Sequence, residues 1–242
     1  MAFFLFTGLL LFALLVGKAV IAQDWRSASM EPVGLAPDPA TTPEAVAQVY
    51  GARTWGWRGT FGVHTWVAVK PANAAAYTVY EVIGWRLRWS DSVVEVHKRA
   101  PDARWYGNAP ELYAEKRGAE AADLIPRIDA AARSYPYANE YHAWPGPNSN
   151  TFTAWITRAV PELQVDLPPT AIGKDYLGTL FGAAPSGSGL QFSLGGMFAL
   201  TASGVEGLEV NLLGLTFGIN PFDPALKLPM LGRLGPVRSA SP

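Results

Sequence analysis

Ser149 is the side chain in this sequence that is best placed to act as a nucleophile. It lies near the start of WPGPNSNTFTAWITRAVP, residues 144–161, in which a proline-rich turn precedes apolar residues at helical spacing. At the first turn of such a helix, a hydroxyl lies beside backbone N–H groups that have no partner within the helix. A nucleophile and an oxyanion-binding site can therefore coexist there. The alternative role for Ser149 is that of a helix cap, for which Asn148 and Asn150 are also candidates.

A serine hydroxyl needs a base that accepts its proton. The chain contains three histidines, His64, His97 and His142. His64 is the favoured base, because it lies in a predicted strand in which Gly59 and Gly62 allow close approach of the backbone. A structural, hydrogen-bonded histidine is the alternative. The spacing of the three histidines fits no metal site and no carboxylate cluster accompanies them, so we expect neither a metal nor another cofactor.

A third residue on the neighbouring strand can orient the histidine. If the two strands turn near Asn73, the numbers of paired residues add up to about 147, which places Ile83 opposite His64. Glu81 then lies nearby on the same face. Glu81 is therefore the first choice for the orienting residue, and His97 is the second. The alternative is that Glu81 is an ordinary exposed carboxylate.

Candidate binding groups surround the same segment. The backbone N–H of Ser149 or Asn150 is the expected oxyanion donor, and the side chain of Asn148 is a candidate helper. Asn148 and Asn150 can equally shape the turn and cap the helix. Trp105 and Tyr106 are candidate ligand contacts, because aromatic rings can stack on the sugar rings of an envelope polymer. Packing in the core or in a lid is the alternative for both rings.

The elements that position these side chains follow from hydrophobic periodicity and turn residues. A meander of three strands is predicted over 54–70, 77–89 and 92–98, followed by an aromatic loop over 101–113. Helices are predicted over 43–50, over 118–135 and from the turn at 145–147 to Pro161. Hairpin strands are predicted over 190–194, 197–202, 206–213 and 215–217, with loop and tail over 221–242. The predicted fold class is α+β, an antiparallel sheet packed on helices with extra C-terminal β-hairpins.

Composition and the N-terminal segment indicate the domain organisation. A chain of 242 residues with 49% apolar content suits one domain with appendages. Residues 1–22 are expected to be a signal peptide or membrane anchor, because residues 1–17 are uncharged and apolar. Residues 23–52 are expected to be a linker and short helix, 53–235 a single α+β domain and 236–242 a tail. The domain is then exported, and lies in the periplasm or on the membrane at the cell envelope.

Charge and cysteine content exclude several classes of partner and site. The net charge is −1 and no basic run occurs, so nucleic acid is not an expected partner. The absence of cysteine excludes disulfides, thiol catalysis and thiolate metal sites. The expected partners are the membrane, through the N-terminal segment, and an envelope glycan, peptide or lipid.

Several motifs resemble those of a known family. They are YEVIGWR, RWYG, DLIPRI, YPY, WPGPNSNTF and AIGKDYLG. Together they resemble the DUF3750 family, an uncharacterised bacterial envelope family, over about residues 53–235, and NSNTF is their most specific part. The resemblance implies a family without a known activity.

More distantly, His64 in GVHTWV followed by Ser149 in GPNSNTF resembles the circularly permuted branch of the NlpC/P60, papain-like superfamily. That resemblance implies a permuted NlpC/P60-like core, in which a histidine strand precedes a helix that opens with the nucleophile. The sequence departs from the pattern because Ser149 stands where a cysteine is expected. A thiol is far more acidic than a hydroxyl, so the serine indicates either a Ser–His hydrolase or a fold that has kept only its groove.

Three functions are compatible with these features. The leading hypothesis is a cell-envelope hydrolase or acyl-transfer enzyme that acts on an amide or ester, with Ser149, His64 and Glu81 as catalytic residues. The second is a non-catalytic module that binds an envelope glycan, lipid or protein in the same groove. The third is a structural envelope protein whose apolar C-terminal hairpins contact a membrane or a partner.

Overall fold

The computed structural model describes residues 26–236 of the chain. The predicted signal peptide or anchor at 1–22 lies outside the described residues, as does the tail beyond residue 236. The described chain is an α+β domain with two antiparallel sheets and two α-helices. Within residues 26–236, none of the helices is both long enough and apolar enough to cross a membrane.

The first sheet has five strands in the order β4-β3-β2-β1-β5. Their bounds are Val46–Arg53 for β1, Val63–Lys70 for β2, Thr78–Val82 for β3, Val94–Lys98 for β4 and Glu111–Arg117 for β5. The pairing of Val67 with Tyr80 confirms the register that a turn near Asn73 predicts. Asn73 itself has a left-handed backbone conformation, which asparagine tolerates well in turns.

Helices α1 (Gly118–Arg133) and α2 (Ser149–Ala159) confirm the two helices predicted after the meander. Both pack on one face of the first sheet, because each presents an apolar stripe at helical spacing. The stripes and the sheet share one core, which includes Val49, Val67, Leu124, Ile128, Phe152 and Ile156. A short 3₁₀ helix at Pro161–Leu163 follows α2, where the helix was expected to end.

The prediction of a helix over 43–50 is wrong, since residues 46–50 belong to strand β1. β1 lies between β2 and β5, and residues 46–52 are buried. A strand buried on both faces lacks the alternation of polar and apolar residues that marks a half-exposed strand. The sequence VAQVYGAR therefore resembles a helical segment. β1 belongs to the sheet, upstream of the domain boundary predicted at residue 53.

The segment that precedes β1 is packed rather than free. Asp102 accepts a hydrogen bond from the backbone N–H of Leu35 at 2.6 Å, and Pro32 forms a β-bridge with Ala103. This contact brings the predicted linker onto the loop that follows β4. A second core with Tyr50, Trp66, Val79, Ile83 and Trp105 lies on this side of the sheet.

Two predicted strands are only partly correct. Residues Gly56–Thr60 and Gly84–Arg88 are short 3₁₀ helices instead of strand. The end of the predicted aromatic loop forms the edge strand β5, whose sequence ELYAEKR is rich in charge because the edge is half exposed.

The second sheet is a meander of seven strands, which follow one another in the order of the sequence. Their bounds are Phe181–Ala183 for β6, Leu190–Leu194 for β7, Phe198–Ser203 for β8, Gly207–Leu212 for β9, Leu215–Asn220 for β10, Ala225–Leu228 for β11 and Gly232–Leu234 for β12. The C-terminal hairpins are thereby confirmed. The prediction of a loop over 221–242 is wrong for β11 and β12. These strands are short and lie next to prolines, so the alternation of their residues is hard to recognise.

Candidate functional site

The start of helix α2 is fixed by Asn148. Its Oδ1 accepts hydrogen bonds from the backbone N–H of Asn150 at 2.9 Å and of Thr151 at 3.2 Å. In return, the Thr151 hydroxyl accepts from the backbone N–H of Asn148 at 3.1 Å, which completes a capping box. Ser149 is thus the first residue of the helix and not its cap. Its side chain is buried, and its hydroxyl forms no hydrogen bond with any residue in 26–236.

The Asn148 amide nitrogen is also fully used. It donates to the carbonyl oxygens of Ala143 at 3.2 Å and Ile172 at 3.0 Å. In this arrangement the amide hydrogens and the oxygen of Asn148 hold the loop and the helix start together, which favours the turn and cap role over that of an oxyanion helper.

Asn150 has a similar anchoring role. Its amide nitrogen donates to the carbonyl oxygens of Val63 at 3.0 Å and Ile172 at 2.7 Å, and its Oδ1 accepts from the Thr65 hydroxyl at 3.0 Å. Its backbone N–H already serves the cap. Of the two predicted oxyanion donors, the backbone N–H of Ser149 is the one left available, since the first residue of a helix has no partner within the helix.

His64 and Glu81 form the pair that the strand register predicts. His64 Nε2 lies 2.8 Å from Glu81 Oε2, and both side chains are buried. The other carboxylate oxygen, Oε1, lies 2.7 Å from His97 Nε2 and 3.3 Å from Arg99 Nε. Glu81 is only 2% exposed, which contradicts its interpretation as an exposed strand carboxylate. His97 contacts Glu81 and thus belongs to the group that surrounds the carboxylate.

Burial and charge determine the protonation of this pair. Burial lowers the pKa of His64, and the hydrogen bond and charge of Glu81 only partly oppose the shift. Burial alone would raise the pKa of Glu81, but hydrogen bonds from His64 and His97 and the charge of Arg99 hold it well below its usual range. His64 is therefore neutral at pH 7 and donates its Nε2–H to an ionised Glu81. Its Nδ1 is then a proton acceptor.

Trp105 supports His64 from one side. The two rings stack with centroids 3.8 Å apart and planes 16° from parallel. Trp66 also stacks on His64, with ring centroids 5.6 Å apart. Tyr106 contacts Trp105 edge-on, with ring centroids 5.1 Å apart. Trp105 therefore packs on the imidazole and also lines the cleft. Tyr106 lies beside it and lines the cleft.

Ser149 and His64 line the same cavity, which has a volume of about 540 Å³. Thr65, the residue after His64, lies next to the helix start, with its hydroxyl 3.4 Å from the Ser149 carbonyl oxygen. Within residues 26–236, no hydrogen bond joins the Ser149 hydroxyl to His64. No group of three or more potential metal-binding side chains occurs in this part of the chain.

The rest of the cavity wall is aromatic. It includes Trp55, Trp57, Phe61, Trp85, Tyr141 and Trp144 in addition to Trp105 and Tyr106. Trp57 and Trp144 are 59% and 50% exposed, so the rim presents ring surface to the solvent. The sequence interpretation missed Trp57 because it placed TWGWRG in a strand. The repeated glycines in that segment were the available signal for a turn.

The comparisons with known proteins concern mainly the first sheet and the helices. A family model described as "Protein of unknown function (DUF3750)" matches residues 44–176. No curated protein and no solved structure matches the chain. The matched range covers more than half of the chain, contains His64, Glu81 and Ser149, and ends before the second sheet. The chain therefore belongs to the DUF3750 family.

Proposed function

We propose that this protein is a serine hydrolase or acyl-transfer enzyme of the cell envelope, acting on an amide or ester. One observation carries the proposal: Glu81 holds Nε2 of a neutral His64 at a cleft that is also lined by Ser149, the first residue of helix α2. A base oriented by a carboxylate, a nucleophile and an oxyanion donor are the groups that acyl transfer requires.

The hydrogen bonding of His64 supports this role. Glu81 on β3 holds Nε2, and within residues 26–236 Nδ1 forms no hydrogen bond. Nδ1 is therefore the ring nitrogen that is left to take a proton.

The reaction follows from these positions. Ser149 Oγ attacks the carbonyl carbon while its proton passes to His64 Nδ1, and the Ser149 N–H stabilises the resulting oxyanion. The imidazolium then gives its proton to the leaving nitrogen or oxygen as the carbonyl–heteroatom bond breaks. In the second half, water or another acceptor attacks the acyl-serine and passes a proton to His64. Expulsion of Ser149 Oγ, which recovers this proton, releases the product. Glu81 stays ionised throughout and stabilises the imidazolium.

The order of elements supports a permuted NlpC/P60-like core for this proposal. The histidine strand β2 comes first, and helix α2 with its N-terminal serine follows it. The apolar segment at residues 1–17 supports delivery to the envelope, either by export or by anchoring.

A second candidate function is a non-catalytic module that binds a ligand in the same cleft. The aromatic rim and the lack of a Ser149–His64 hydrogen bond within residues 26–236 favour it. Such a module would use the exposed rings of Trp57 and Trp144 for stacking.

Labelling of the full-length protein in detergent with a fluorophosphonate tests the catalytic proposal. We expect covalent labelling at Ser149, located by peptide mass spectrometry, and its loss in Ser149→Ala and His64→Ala. The matched control is His142→Ala, because His142 is exposed and should not affect labelling.

A small sulfonyl fluoride should be used in parallel, so that a probe too large for the cleft is recognised. Failure of both probes to label a folded protein would contradict the hydrolase and favour the binding module.

A further inference from the structure

The second sheet has an inverted distribution of polar and apolar side chains. Cross-strand pairs on its outer side, such as Phe192 with Leu200 and Val210 with Phe217, join apolar residues to one another. We call this side the apolar face. It consists of Phe181, Ala183, Leu190, Phe192, Leu194, Phe198, Leu200, Ala202, Leu208, Val210, Leu212, Leu215, Phe217, Ile219, Leu226, Leu228 and Leu234.

The opposite side of the sheet is polar and buried. Lys227 lies 2.7 Å from Glu209 Oε1 and 2.5 Å from Asp166 Oδ1, and Lys174 pairs with the other oxygen of Glu209. Gln191, Ser193, Thr201, Asn211 and Thr216 are buried on the same side. A shift of the strand register by one residue would move every side chain to the opposite side of the sheet, and the buried ion pairs would be lost. The buried network therefore fixes the register that turns the apolar side chains outward.

The apolar face is too large to be an ordinary feature of a soluble surface. Leu190, Leu208 and Ile219 are 76%, 54% and 53% exposed, and most of the other members exceed one third. The exposed apolar area is on the order of 1,000 Å², whereas the largest patch on a typical monomer is a few hundred Å². A face of this size indicates contact with a binding partner or a membrane.

The composition of the face indicates which of these covers it. None of its members carries a charge or a hydrogen-bonding side chain. Protein interfaces contain about one hydrogen bond per 100–200 Å² and are enriched in tyrosine and arginine, whereas hydrocarbon offers no hydrogen-bonding group. A partner without polar groups therefore fits this face best.

The chain before residue 26 supports a lipid partner. Residues 1–17 are uncharged and apolar, and eight residues separate them from Arg26. An extended link of this length spans at most about 29 Å. Insertion of the N-terminal segment into a bilayer would therefore keep Arg26 within reach of the lipid surface.

The cleft is connected to the apolar face. Trp144 on the cleft rim donates from Nε1 to the carbonyl oxygen of Leu213 at 2.9 Å. Leu213 and Gly214 form the turn between β9 and β10, and Leu213 is 62% exposed. A side chain at Gly214 would lie 3.2 Å from Trp144, so the glycine permits this close contact. The cleft therefore adjoins one end of the face.

We propose that the apolar face lies on the surface of a lipid bilayer, with its side chains among the acyl chains and the cleft beside the membrane. This docking is independent of the chemistry of Ser149. It adds a second membrane contact to the one expected from the N-terminal segment, and it uses residues outside the part that matches the DUF3750 family.

The natural lack of cysteine makes a direct test simple, because one introduced cysteine carries a single fluorescent label. The full-length protein is placed in phosphatidylcholine vesicles with a label at Leu208→Cys. The matched control is Val96→Cys, since Val96 on β4 is 52% exposed and Leu208 is 54% exposed. Quenching is measured with lipids that carry a nitroxide on the acyl chain and with aqueous iodide, and circular dichroism confirms folding of both variants.

We expect nitroxide lipid to quench the Leu208→Cys label at least about two-fold more than the Val96→Cys label, and iodide to show the opposite order, because the face is buried among acyl chains. Equal quenching at both positions would overturn the proposal. Protection of Leu208→Cys from both quenchers would also overturn it and indicate a protein cover. Cross-linking of Leu208→Cys between copies would then identify a second copy, and its absence would identify the N-terminal segment.

Discussion

Two features of the surroundings of His64 have opposite effects on its pKa. Its contact with an ionised carboxylate favours the imidazolium, but its burial favours the neutral ring more strongly. The outcome is a base that is unprotonated at neutral pH and still held by Glu81. This arrangement suits proton transfer from a hydroxyl, because the base is ready and its rotation is restricted.

The lowered pKa of His64 predicts an unusual pH profile for the proposed activity. A base loses activity as the pH falls through its pKa, so the acid limb of kcat/KM should lie below pH 6.5, the ordinary value for histidine. Hydrolysis of an activated ester between pH 4 and 8 measures the limb, with folding checked at each pH. A limb at or above pH 6.5 would contradict a buried His64 as the base.

The sequence predicts part of this site because strand pairing follows simple arithmetic. A short turn near Asn73 sets the register, and the register brings Glu81 close to His64. For Asn148 and Trp105 the sequence left two roles open, a cap or an oxyanion helper and a packing ring or a ligand contact, and it could not choose between them. Asn148 is occupied by carbonyl groups from distant segments, and Trp105 is turned onto His64 by the packing of a loop.

At the scale of elements, helix α2 depends on its cap. Asn148→Ala removes the acceptor for two N–H groups and both amide donors, and should lower the free energy of unfolding by about 2–3 kcal/mol. Ser149→Ala should not lower it, since the buried hydroxyl has no partner within residues 26–236 and its removal breaks no hydrogen bond. Urea unfolding of both variants measures the difference. Equal losses would assign the capping role to Ser149.

Sequence patterns predict the strands that alternate between polar and apolar residues, and also buried strands such as β2 that are rich in β-branched and aromatic residues. β7 to β9 alternate strictly and lie close to their predicted positions. β1 is buried on both faces, so polar and apolar residues do not alternate along it. Its helix-forming residues, such as Ala47 and Gln48, make the sequence resemble a helix. The alternation in the second sheet indicates strands but not which side faces the protein, because that choice depends on Asp166 and Lys174 elsewhere in the chain.

At the scale of the whole molecule, the buried ion pairs join the second sheet to the rest of the domain. Lys227→Met leaves Glu209 and Asp166 without this cation, and should lower the free energy of unfolding by about 3–5 kcal/mol. The control is Lys98→Met at an exposed position, with an expected change below about 0.5 kcal/mol. Urea unfolding measures both variants.

The loss in Lys227→Met should also depend on pH. Burial raises the pKa of Asp166 to about 6, although Lys227 opposes the shift. A carboxyl group with a raised folded pKa binds its proton more readily in the folded state, so its ionisation costs stability as the pH rises. Lys227→Met removes a charge that lowers the pKa of Asp166, so this cost increases in the variant. The loss of stability in Lys227→Met should therefore be larger at pH 8 than at pH 5.5. A loss that is the same at both values would contradict a dependence on Asp166.

The edge strands of the second sheet, β6 and β12, contain only three residues each. Sheets of different molecules merge into fibrils through long, unpaired edges, and short edges offer few free N–H and C=O groups for this. Copies that meet in water before they reach a bilayer can therefore adhere face to face but cannot extend a common sheet. We expect their aggregates to be small and to dissolve in detergent, rather than to grow as filaments.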